Sequence, residues 1–298
     1  MMAAQEVRSL RGELLRQEPL ARHTTWRVGG PARVFYRPVD AEDLASFLKT
    51  LPVDEPLLWL GLGSNLLVRD GGFPGTVIAM QGRLADIRVE GTRLHVGAGA
   101  SCARVARAAA RSGLTGAAFL AGIPGTMGGA LAMNAGAFCG ETWERVVAVR
   151  TIDREGCLRS REPADFEVAY RSVQGPAGEW FVDAVLQLEE GDTAAEQASI
   201  RELLDRRAAT QPTGKPSGGS TFRNPPGDHA ARLIEAAGLK GYRIGGAEVS
   251  PKHANFLITL EGGTATDLEA LILHVQAGVE QQFGVHLQPE VHIVGVSA

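Results

Sequence analysis

The sequence predicts an α+β protein built from three consecutive units. Runs typical of strands alternate with amphipathic helix patterns along the 298 residues, a length for which about 150 residues per domain is a soft prior. Hydrophobic residues make up 44% and charged residues 21%, so the chain can bury packed cores. A glycine- and proline-rich stretch at residues 211–220 precludes regular structure near the start of the last unit. We therefore expect units at residues 1–80, 81–200 and 201–298.

The first unit begins with local α/β patterns. Ala41–Leu51 has the periodicity of a short amphipathic helix. Leu57–Leu60 is a continuous apolar run of strand length, and the turn Gly61–Asn65 follows it directly. Thr76–Met80 predicts a second strand, which completes a small α/β unit.

The second unit combines a hairpin, a helix and two strands. Asp86–Gly99 predicts a hairpin, and a helix follows from Ser101, a residue suited to the N-cap, to Arg111. Val146–Asp153 and Phe181–Glu189 both have the apolar, β-branched composition of strands.

The third unit contains two further helices and a last strand. The charged amphipathic helix Ala194–Ala209 leads into it, and a helix is expected at about His229–Ala237. The later helix begins with the capping box Thr266–Glu269 and ends at Gly284. One face of this helix predicts core residues: Leu268, Leu271, Ile272, Val275, Val279 and Phe283. His286–Val296 predicts the final strand.

Composition excludes several classes of protein. The net charge of −4 and the lack of a basic block argue against a nucleic-acid partner. No apolar run approaches the ~20 residues of a membrane span, and the N-terminal residues carry charges where a signal peptide needs an apolar stretch. Cys102, Cys139 and Cys157 lie far apart, without metal-ligand spacing, so neither a zinc site nor a disulfide framework organises the fold. We expect a cytoplasmic protein, monomeric or weakly oligomeric, with no metal.

Glycine is over-represented, and its positions suggest ligand-binding loops. The chain has 37 glycines, about 12% against a usual 7% or so. Rossmann, Walker A, nucleophile-elbow and zinc-protease motifs are all absent. The turn Gly61–Asn65 could form an anion-binding nest of backbone N–H groups, although taken alone such a turn is more often an ordinary β-turn. Gly122–Ala130, followed by Asn134–Ala137, either lets a flat ring and a diphosphate approach the main chain or allows close helix packing.

Three polar side chains are candidates for chemistry. Arg171 offers a planar fork that suits a carboxylate, or it is a surface arginine. Ser220 ends a turn and could project into a cleft, or it is a turn or capping serine. Glu290, at the start of an apolar strand, is either half-buried and paired or simply at a strand end.

The full set of motifs resembles the UDP-N-acetylenolpyruvoylglucosamine reductase family, and it runs in order along almost the whole chain. The matching segments are Thr24–Pro31, Gly61–Leu67, Gly122–Ala130, Met133–Ala137, Tyr170–Ser172, Gly219–Pro225, His253–Phe256 and Pro289–Val291. At 298 residues the chain is similar to the shorter type of this family, which lacks a tyrosine-bearing loop.

The resemblance implies a fold and a reaction. Two subdomains, at residues 1–80 and 81–200, would form a vanillyl-alcohol-oxidase-like (PCMH-like) module that holds FAD non-covalently, and residues 201–298 would bind the UDP-sugar. NADPH would reduce the flavin, and hydride would pass from FAD N5 to C3 of the enolpyruvyl ether of UDP-N-acetylglucosamine enolpyruvate. The product would be UDP-N-acetylmuramate, a precursor of peptidoglycan, which links the enzyme to cell-wall biogenesis, cell shape and cell division.

The resemblance also implies roles for individual residues. Ser220 would give the proton to C2, while Arg171 and Glu290 would stabilise the enolate-like intermediate, with Glu290 protonated because burial and the substrate carboxylate raise its pKa. The implied cofactor contacts are Arg27, Gly61, Gly63, Ser64, Asn65, Leu66, Gly122, Ile123, Pro124, Gly125, Thr126, Gly128, Gly129, Ala130, Asn134 and Gly136. The proposed substrate contacts are Tyr170, Lys215, Arg223, Asn224 and Lys252.

Two other functions are compatible with the same fold. One is a flavin oxidase or dehydrogenase that acts on a sugar or hydroxy acid. The other is a flavin- or nucleotide-binding regulator without turnover. The presence of Arg171, Ser220 and Glu290 together favours the reductase over both.

Overall fold

The computed structural model describes residues 10–138 and 140–298. Cys139 and most of the N-terminal stretch considered above therefore lie outside the described residues. Within these ranges no helix has the length and apolar character needed to cross a membrane. The same residues hold no group of three or more His, Cys, Asp or Glu side chains suited to a metal ion.

The first part of the chain forms a four-stranded sheet. Its elements are β1 (Glu13–Pro19), β2 (Pro31–Arg37), α1 (Ala41–Leu48), β3 (Leu57–Leu60), β4 (Leu66–Val68) and β5 (Phe73–Ala79). The sheet order is β1-β2-β5-β3, with β1 antiparallel to β2 and the other pairs parallel. Strand β3 thus ends at the turn 61–65, which lies at the carboxyl edge of the parallel strands.

The second part forms a five-stranded antiparallel sheet covered by helices. Its elements are β6 (Ile87–Glu90), β7 (Arg93–Gly97), α2 (Cys102–Arg111), β8 (Leu114–Thr115), α3 (Met127–Ala132), β9 (Gly136–Ala137), β10 (Gly140–Glu141), β11 (Val146–Asp153), β12 (Leu158–Arg161), β13 (Glu167–Ala169), β14 (Ser172–Gln174), β15 (Glu179–Gln187), β16 (Glu189–Glu190) and α4 (Thr193–Thr210). The sheet order is β12-β11-β15-β7-β6, and β13 and β14 form a separate hairpin.

The third part packs two helices against a three-stranded sheet. Its elements are α5 (Ala230–Ala236), β17 (Arg243–Ile244), β18 (Ala247–Val249), β19 (Leu257–Thr259), α6 (Ala265–Phe283) and β20 (His292–Val294). Strand β20 returns to pair in parallel with β4. Trp26 is fully buried in this third core, where its indole N–H donates to the carbonyl of Leu257 at 2.8 Å. The first and third parts therefore share both a core and a strand pairing.

Helix α6 begins two residues earlier than the sequence predicts. Its N-cap is Thr264, which forms a capping box with Asp267, so the assignment to Thr266 was wrong. The Thr266 hydroxyl instead donates to Asp70 at 2.7 Å, a partner nearly two hundred residues away. Gly284 ends the helix with φ +67, as predicted.

Several other boundaries needed correction. Phe283, predicted in the core, is 36% exposed because it lies at the last position of α6. The final strand covers only three residues of the expected His286–Val296. Strand β15 begins and ends two residues before the predicted Phe181–Glu189. Strands β1 and β2 and the β13–β14 hairpin were not predicted; β1 and β13 are largely exposed and lack a clear apolar period, whereas β2 is largely buried.

Candidate active site

A cleft of about 560 Å³ lies where the three parts of the chain meet, within the usual size range of ligand sites. Its walls come from segments far apart in sequence: Leu58–Leu66, Gly122–Thr126, Gly129, Ala130, Ala132, Met133, Ala135–Phe138, Arg171, Arg207, Gln211, Gly218–Ser220, Phe256, Glu290, His292 and Val294. A second cavity of about 270 Å³ shares Trp59, Gly61, Thr126 and Gly129 with it. Both glycine-rich segments therefore line one continuous region.

The turn after β3 lies directly against the second glycine-rich segment. A Cβ on Gly61 would collide with the Thr126 hydroxyl, so glycine is required for this approach. Gly63 has φ +61, a left-handed conformation that favours glycine. Within the described ranges, the backbone N–H groups of Ser64, Asn65 and Thr126 have no intramolecular acceptor. Unpaired backbone donors at a cleft wall form a site that suits an anion.

The second glycine-rich segment combines close packing with main chain that lines the cleft. It begins helix α3, and Gly128 there packs against Ala98, whose Cβ would lie 3.0 Å from an added Cβ. A Cβ on Gly122 would lie 2.7 Å from the ring of Phe138. Close packing and an exposed main chain along the cleft therefore occur in the same segment.

Arg171 is held inside the cleft and is not a surface arginine. Its side chain is 17% exposed, and Nε donates to Oε1 of Glu290 at 3.2 Å. Nη1 donates to the carbonyl of Asn134 at 3.3 Å, and Nη2 to that of Gly136 at 2.8 Å. These bonds use three of the five N–H donors of a guanidinium, so two are free for a ligand carboxylate.

The backbone of Arg171 is also unusual. It is the second central residue of the two-residue turn between β13 and β14, with φ +53. That conformation usually requires glycine or asparagine and costs about 1–3 kcal/mol for other residues. The carbonyl of Arg171 accepts a hydrogen bond from Arg223 at 3.2 Å, which helps to hold the turn.

Glu290 is half-buried and paired, which settles the two readings of its position. Its side chain is 16% exposed, and burial raises the pKa of its carboxyl above the ordinary value, against the opposing effect of Arg171. Its backbone N–H donates to the backbone carbonyl of Thr221 at 2.8 Å, and its own backbone carbonyl accepts from the side-chain amide of Asn65 at 3.1 Å. The turn 61–65 and the segment of Glu290 are thus directly connected.

Ser220 lies on a turn that a buried asparagine holds in place. The side chain of Asn255 accepts from the N–H of Phe222 at 2.9 Å and donates to its carbonyl at 2.8 Å. The N–H of Thr221 donates to the carbonyl of Asn255 at 2.8 Å. Ser220 itself lines the cleft, and its hydroxyl makes no hydrogen bond within the described residues. A hydroxyl in that position is free to donate to a ligand.

Known proteins match the chain over nearly its full length. Residues 32–160 match the family model of an FAD-binding domain, and residues 211–294 match that of the UDP-N-acetylenolpyruvoylglucosamine reductase C-terminal domain. A UDP-N-acetylenolpyruvoylglucosamine reductase from Alkalilimnicola ehrlichii is 62% identical over 295 residues and covers 99% of each chain. The chain belongs to the UDP-N-acetylenolpyruvoylglucosamine reductase family.

Other relatives agree with this assignment. A reductase of the same name from Methylococcus capsulatus is 57% identical, covering 98% of this chain and 97% of its own. The crystal structure of the reductase from Thermus caldophilus superposes with a TM-score of 0.80 at 33% identity, covering 95% of this chain and 98% of that one. These findings confirm the family, the fold class of an FAD-binding module with a reductase C-terminal domain, and an FAD-binding oxidoreductase of peptidoglycan precursor synthesis.

The cleft fits FAD, as family membership requires. The residues expected at the cofactor that line it are Gly61, Gly63, Ser64, Asn65, Leu66, Gly122, Ile123, Pro124, Gly125, Thr126, Gly129, Ala130 and Gly136. Free backbone donors and glycines without side chains suit a diphosphate and a flat ring. Arg27 is exposed outside both cavities, and Gly128 lines the smaller one.

Asn134 does not line the cleft but supports residues around Arg171 by hydrogen bonds. Its buried side chain donates to Glu141 at 2.8 Å and to the carbonyl of Ala169 at 3.2 Å, and accepts from the N–H of Trp143. Because its own carbonyl accepts from Arg171, the residue fixes the hairpin and the guanidinium together.

The five residues expected at the substrate lie outside the lining of the cleft. Tyr170 is 48% exposed, with the Arg171 guanidinium 4.8 Å from its ring centroid, and Lys215 is exposed. The side chain of Asn224 accepts from the N–H of Ala230 at 3.1 Å, at the start of α5. Lys252 donates to the carbonyl of Ala208, and Arg223 supports the Arg171 turn. Their roles toward substrate stay predictions.

Sequence reasoning missed several residues of the cleft wall. Met133, Phe138, Arg207, Gln211 and His292 all line it. The ring Nε2 of His292 lies 3.2 Å from Sδ of Met133, and burial lowers the pKa of this histidine. Met133 stands inside a matched motif, so that signal was available. Arg207 lies in a helix with no clear apolar face, which gave no local signal.

Proposed function

We propose that this chain reduces the enolpyruvyl ether of UDP-N-acetylglucosamine enolpyruvate to UDP-N-acetylmuramate, with NADPH as the reductant. The observation that carries the proposal is the convergence of Arg171, Ser220 and Glu290 on the cleft that both glycine-rich segments line. The relative with 62% identity, which bears the name of this reductase, supports the same substrate.

The proposed division of the chain is FAD-binding subdomains at residues 1–80 and 81–200 and a UDP-sugar domain at 201–298. Ile200 packs in the second core and Phe222 in the third, which supports a boundary between them. The position of the cleft among all three parts supports binding of cofactor and substrate side by side. The cytoplasmic location and the monomeric or weakly oligomeric state stay predictions.

Arg171 is proposed to bind the substrate carboxylate. A bound FAD, reduced by NADPH, would supply the hydride that adds to C3 of the enolpyruvyl group. Negative charge then develops at C2 and spreads into the carboxylate, where a guanidinium with two free N–H donors stabilises it most. Because this side chain is already fixed by Asn134 and Gly136, little reorganisation accompanies that stabilisation.

Ser220 is proposed to give its proton to C2. A serine hydroxyl is a weak acid, but a carbanion-like carbon is basic enough to accept its proton. The free hydroxyl at the cleft wall needs no partner to be displaced before it donates. The serine must regain a proton afterwards, and a bound water is the proposed source.

Glu290 is proposed to act in its protonated form. Burial raises the pKa of its carboxyl, while the Arg171 guanidinium holds it down. A substrate carboxylate that binds Arg171 neutralises part of this opposing charge and adds a negative charge, so the pKa of Glu290 rises further on binding. A protonated carboxyl can then donate a hydrogen bond to the growing anion, as a carboxylate cannot.

An anaerobic two-step spectroscopic experiment tests this function. NADPH should bleach the flavin spectrum of the purified protein, and UDP-N-acetylglucosamine enolpyruvate should then restore it with formation of UDP-N-acetylmuramate. Recovery that requires oxygen and ignores the enolpyruvyl compound would identify an oxidase instead. A protein that binds flavin but does not react with NADPH would favour the regulator.

A further inference from the structure

Arg207 is a cation in the cleft wall without an anionic partner. It lies in the last turn of α4, and its Nε donates to the neutral Oε1 of Gln211 at 3.0 Å. Among the described residues no carboxylate lies within 4.0 Å of its guanidinium. Four of its five N–H donors are therefore free for a ligand.

Other arginines of the molecule contrast with Arg207. Arg69 forms two hydrogen bonds with Glu269, and Arg161 likewise pairs with Glu179. For those arginines a carboxylate raises the pKa, whereas burial alone lowers the pKa of Arg207. Desolvating an unpaired charge is costly, so such a group usually has an anion as its partner when the site is filled.

The charges that line the cleft favour an anion beside Arg207. The charged residues of the lining are Arg171, Arg207 and Glu290, and Glu290 already pairs with Arg171. Helix α4 packs against the short helix Ala118–Gly122, which leads into the second glycine-rich segment. Arg207 thus lines the same cleft as the free backbone donors and the Ser220 turn.

We propose that Arg207 binds a phosphate group of a nucleotide ligand in this cleft. The inference rests on the proposed function, because the reaction brings three phosphate-bearing molecules to the site: FAD, NADPH and the UDP-sugar. A guanidinium suits phosphate because its planar N–H pairs match two phosphate oxygens at once.

Binding measurements on Arg207→Gln, Arg207→Lys and a matched control, Arg201→Gln, test the proposal. Arg201 is exposed on the same helix and outside the cleft lining. FAD affinity is measured by titrating apoprotein, and affinities for NADP⁺ and UDP are measured by calorimetry on the holoprotein. We expect Arg207→Gln to weaken one of the three about ten- to a hundredfold, the loss expected for a charged hydrogen bond. Arg207→Lys should recover part of it.

The identity of the affected ligand distinguishes the source of the phosphate. Selective loss of FAD assigns Arg207 to the cofactor, and selective loss of NADP⁺ or UDP assigns it to that ligand. Unchanged affinities for all three would overturn the inference, as would an equal loss for all three with a lowered Tm. Wild-type turnover of the enolpyruvyl substrate, measured first, separates this failure from failure of the proposed function.

Discussion

Two regions carry the proposed catalytic groups, and they are built differently. Ser220 and Glu290 lie on neighbouring segments that pair through Phe222 and Pro289, and buried Asn255 holds the serine turn by hydrogen bonds to the main chain. Arg171 lies at the tip of a two-stranded hairpin whose first strand is exposed.

The difference shows where positional accuracy comes from. The serine and the glutamate are fixed by their backbones, on two segments of the third part that pair with each other. The arginine is fixed by the hydrogen bonds of its own side chain to Asn134, Gly136 and Glu290. Substitutions near the first pair should therefore affect stability and catalysis together, while substitution of the arginine should affect catalysis alone.

The largest effect is expected from Ser220→Ala. Removing the proton donor should slow the enolpyruvyl-dependent step by about 10²–10⁴-fold, the range for a general acid, while NADPH still bleaches the flavin at the wild-type rate. Anaerobic stopped-flow absorbance measures both steps. Ser217→Ala, on the same segment, is the control and should leave both unchanged. Equal slowing of both steps by Ser220→Ala would contradict the assigned role.

Arg171→Lys should give the next largest effect. Lysine retains the charge, and like arginine it is a non-glycine residue at a position with positive φ. It lacks the planar guanidinium, so the enolpyruvyl-dependent step should slow by about 10²–10³-fold. The same stopped-flow assay applies, together with urea unfolding. Because the hairpin strand is exposed, the free energy of unfolding should stay close to wild type. A strongly destabilised variant would show that the arginine is a structural residue.

Asn255→Ala should destabilise the region that carries Ser220 and Glu290. The substitution leaves a buried backbone N–H and carbonyl of Phe222 without partners, which costs about 1–3 kcal/mol each. Urea unfolding should show this loss, and the enolpyruvyl-dependent step should slow as the Ser220 turn loosens. Glu167→Ala, on the exposed hairpin strand, is the matched control for stability. A fully stable Asn255→Ala variant would remove the distinction between the regions.

The local parts of the fold could be predicted from sequence. Strand β3, strand β11 and the β6–β7 hairpin follow from apolar runs and turn residues that act over a few positions. The glycine-rich segments that line the cleft could be located because glycine is visible in the sequence wherever backbones must approach closely. Thr266 shows the limit: the sequence predicted it as the cap of α6, but the cap is Thr264, and the Thr266 hydroxyl donates to Asp70, far away in the chain.

The contacts between residues far apart in the chain had no comparable signal in the sequence. Asn255 was within a matched motif, yet its contact with Phe222 spans 33 residues and depends on the packing of the third core. Arg207 belongs to a helix that the sequence predicts as charged and amphipathic, but the structure buries only Glu196 and Ile200 of it, and no local pattern placed Arg207 at a cleft. The left-handed turn at Arg171 contradicts local preference, because most residues avoid positive φ. The sequence therefore singled out Arg171 as a candidate, but it did not predict the backbone conformation of this residue or the hydrogen bonds that hold its side chain.

Glu290 gives the smallest expected effect and the sharpest test of its protonation state. Its folded-state pKa is raised by burial, so the folded chain binds this proton more tightly than the unfolded chain. The associated stability is complete below the ordinary value of 4.5 and is lost as pH rises through the raised pKa. Glu290→Gln removes this titration, and its free energy of unfolding should therefore fall less than that of wild type as pH rises from about 4.5.

The same variant also tests the protonation state of Glu290 in the kinetic assay of the enolpyruvyl-dependent step. Glutamine donates a hydrogen bond as a protonated carboxyl does, so Glu290→Gln should retain a near-normal enolpyruvyl-dependent step, and one that no longer declines at high pH. Glu290→Ala, which lacks any donor, should be slow at every pH. If Glu290→Gln is as slow as Glu290→Ala, the carboxyl acts in its ionised form, and its pairing with Arg171 matters for charge rather than for proton donation.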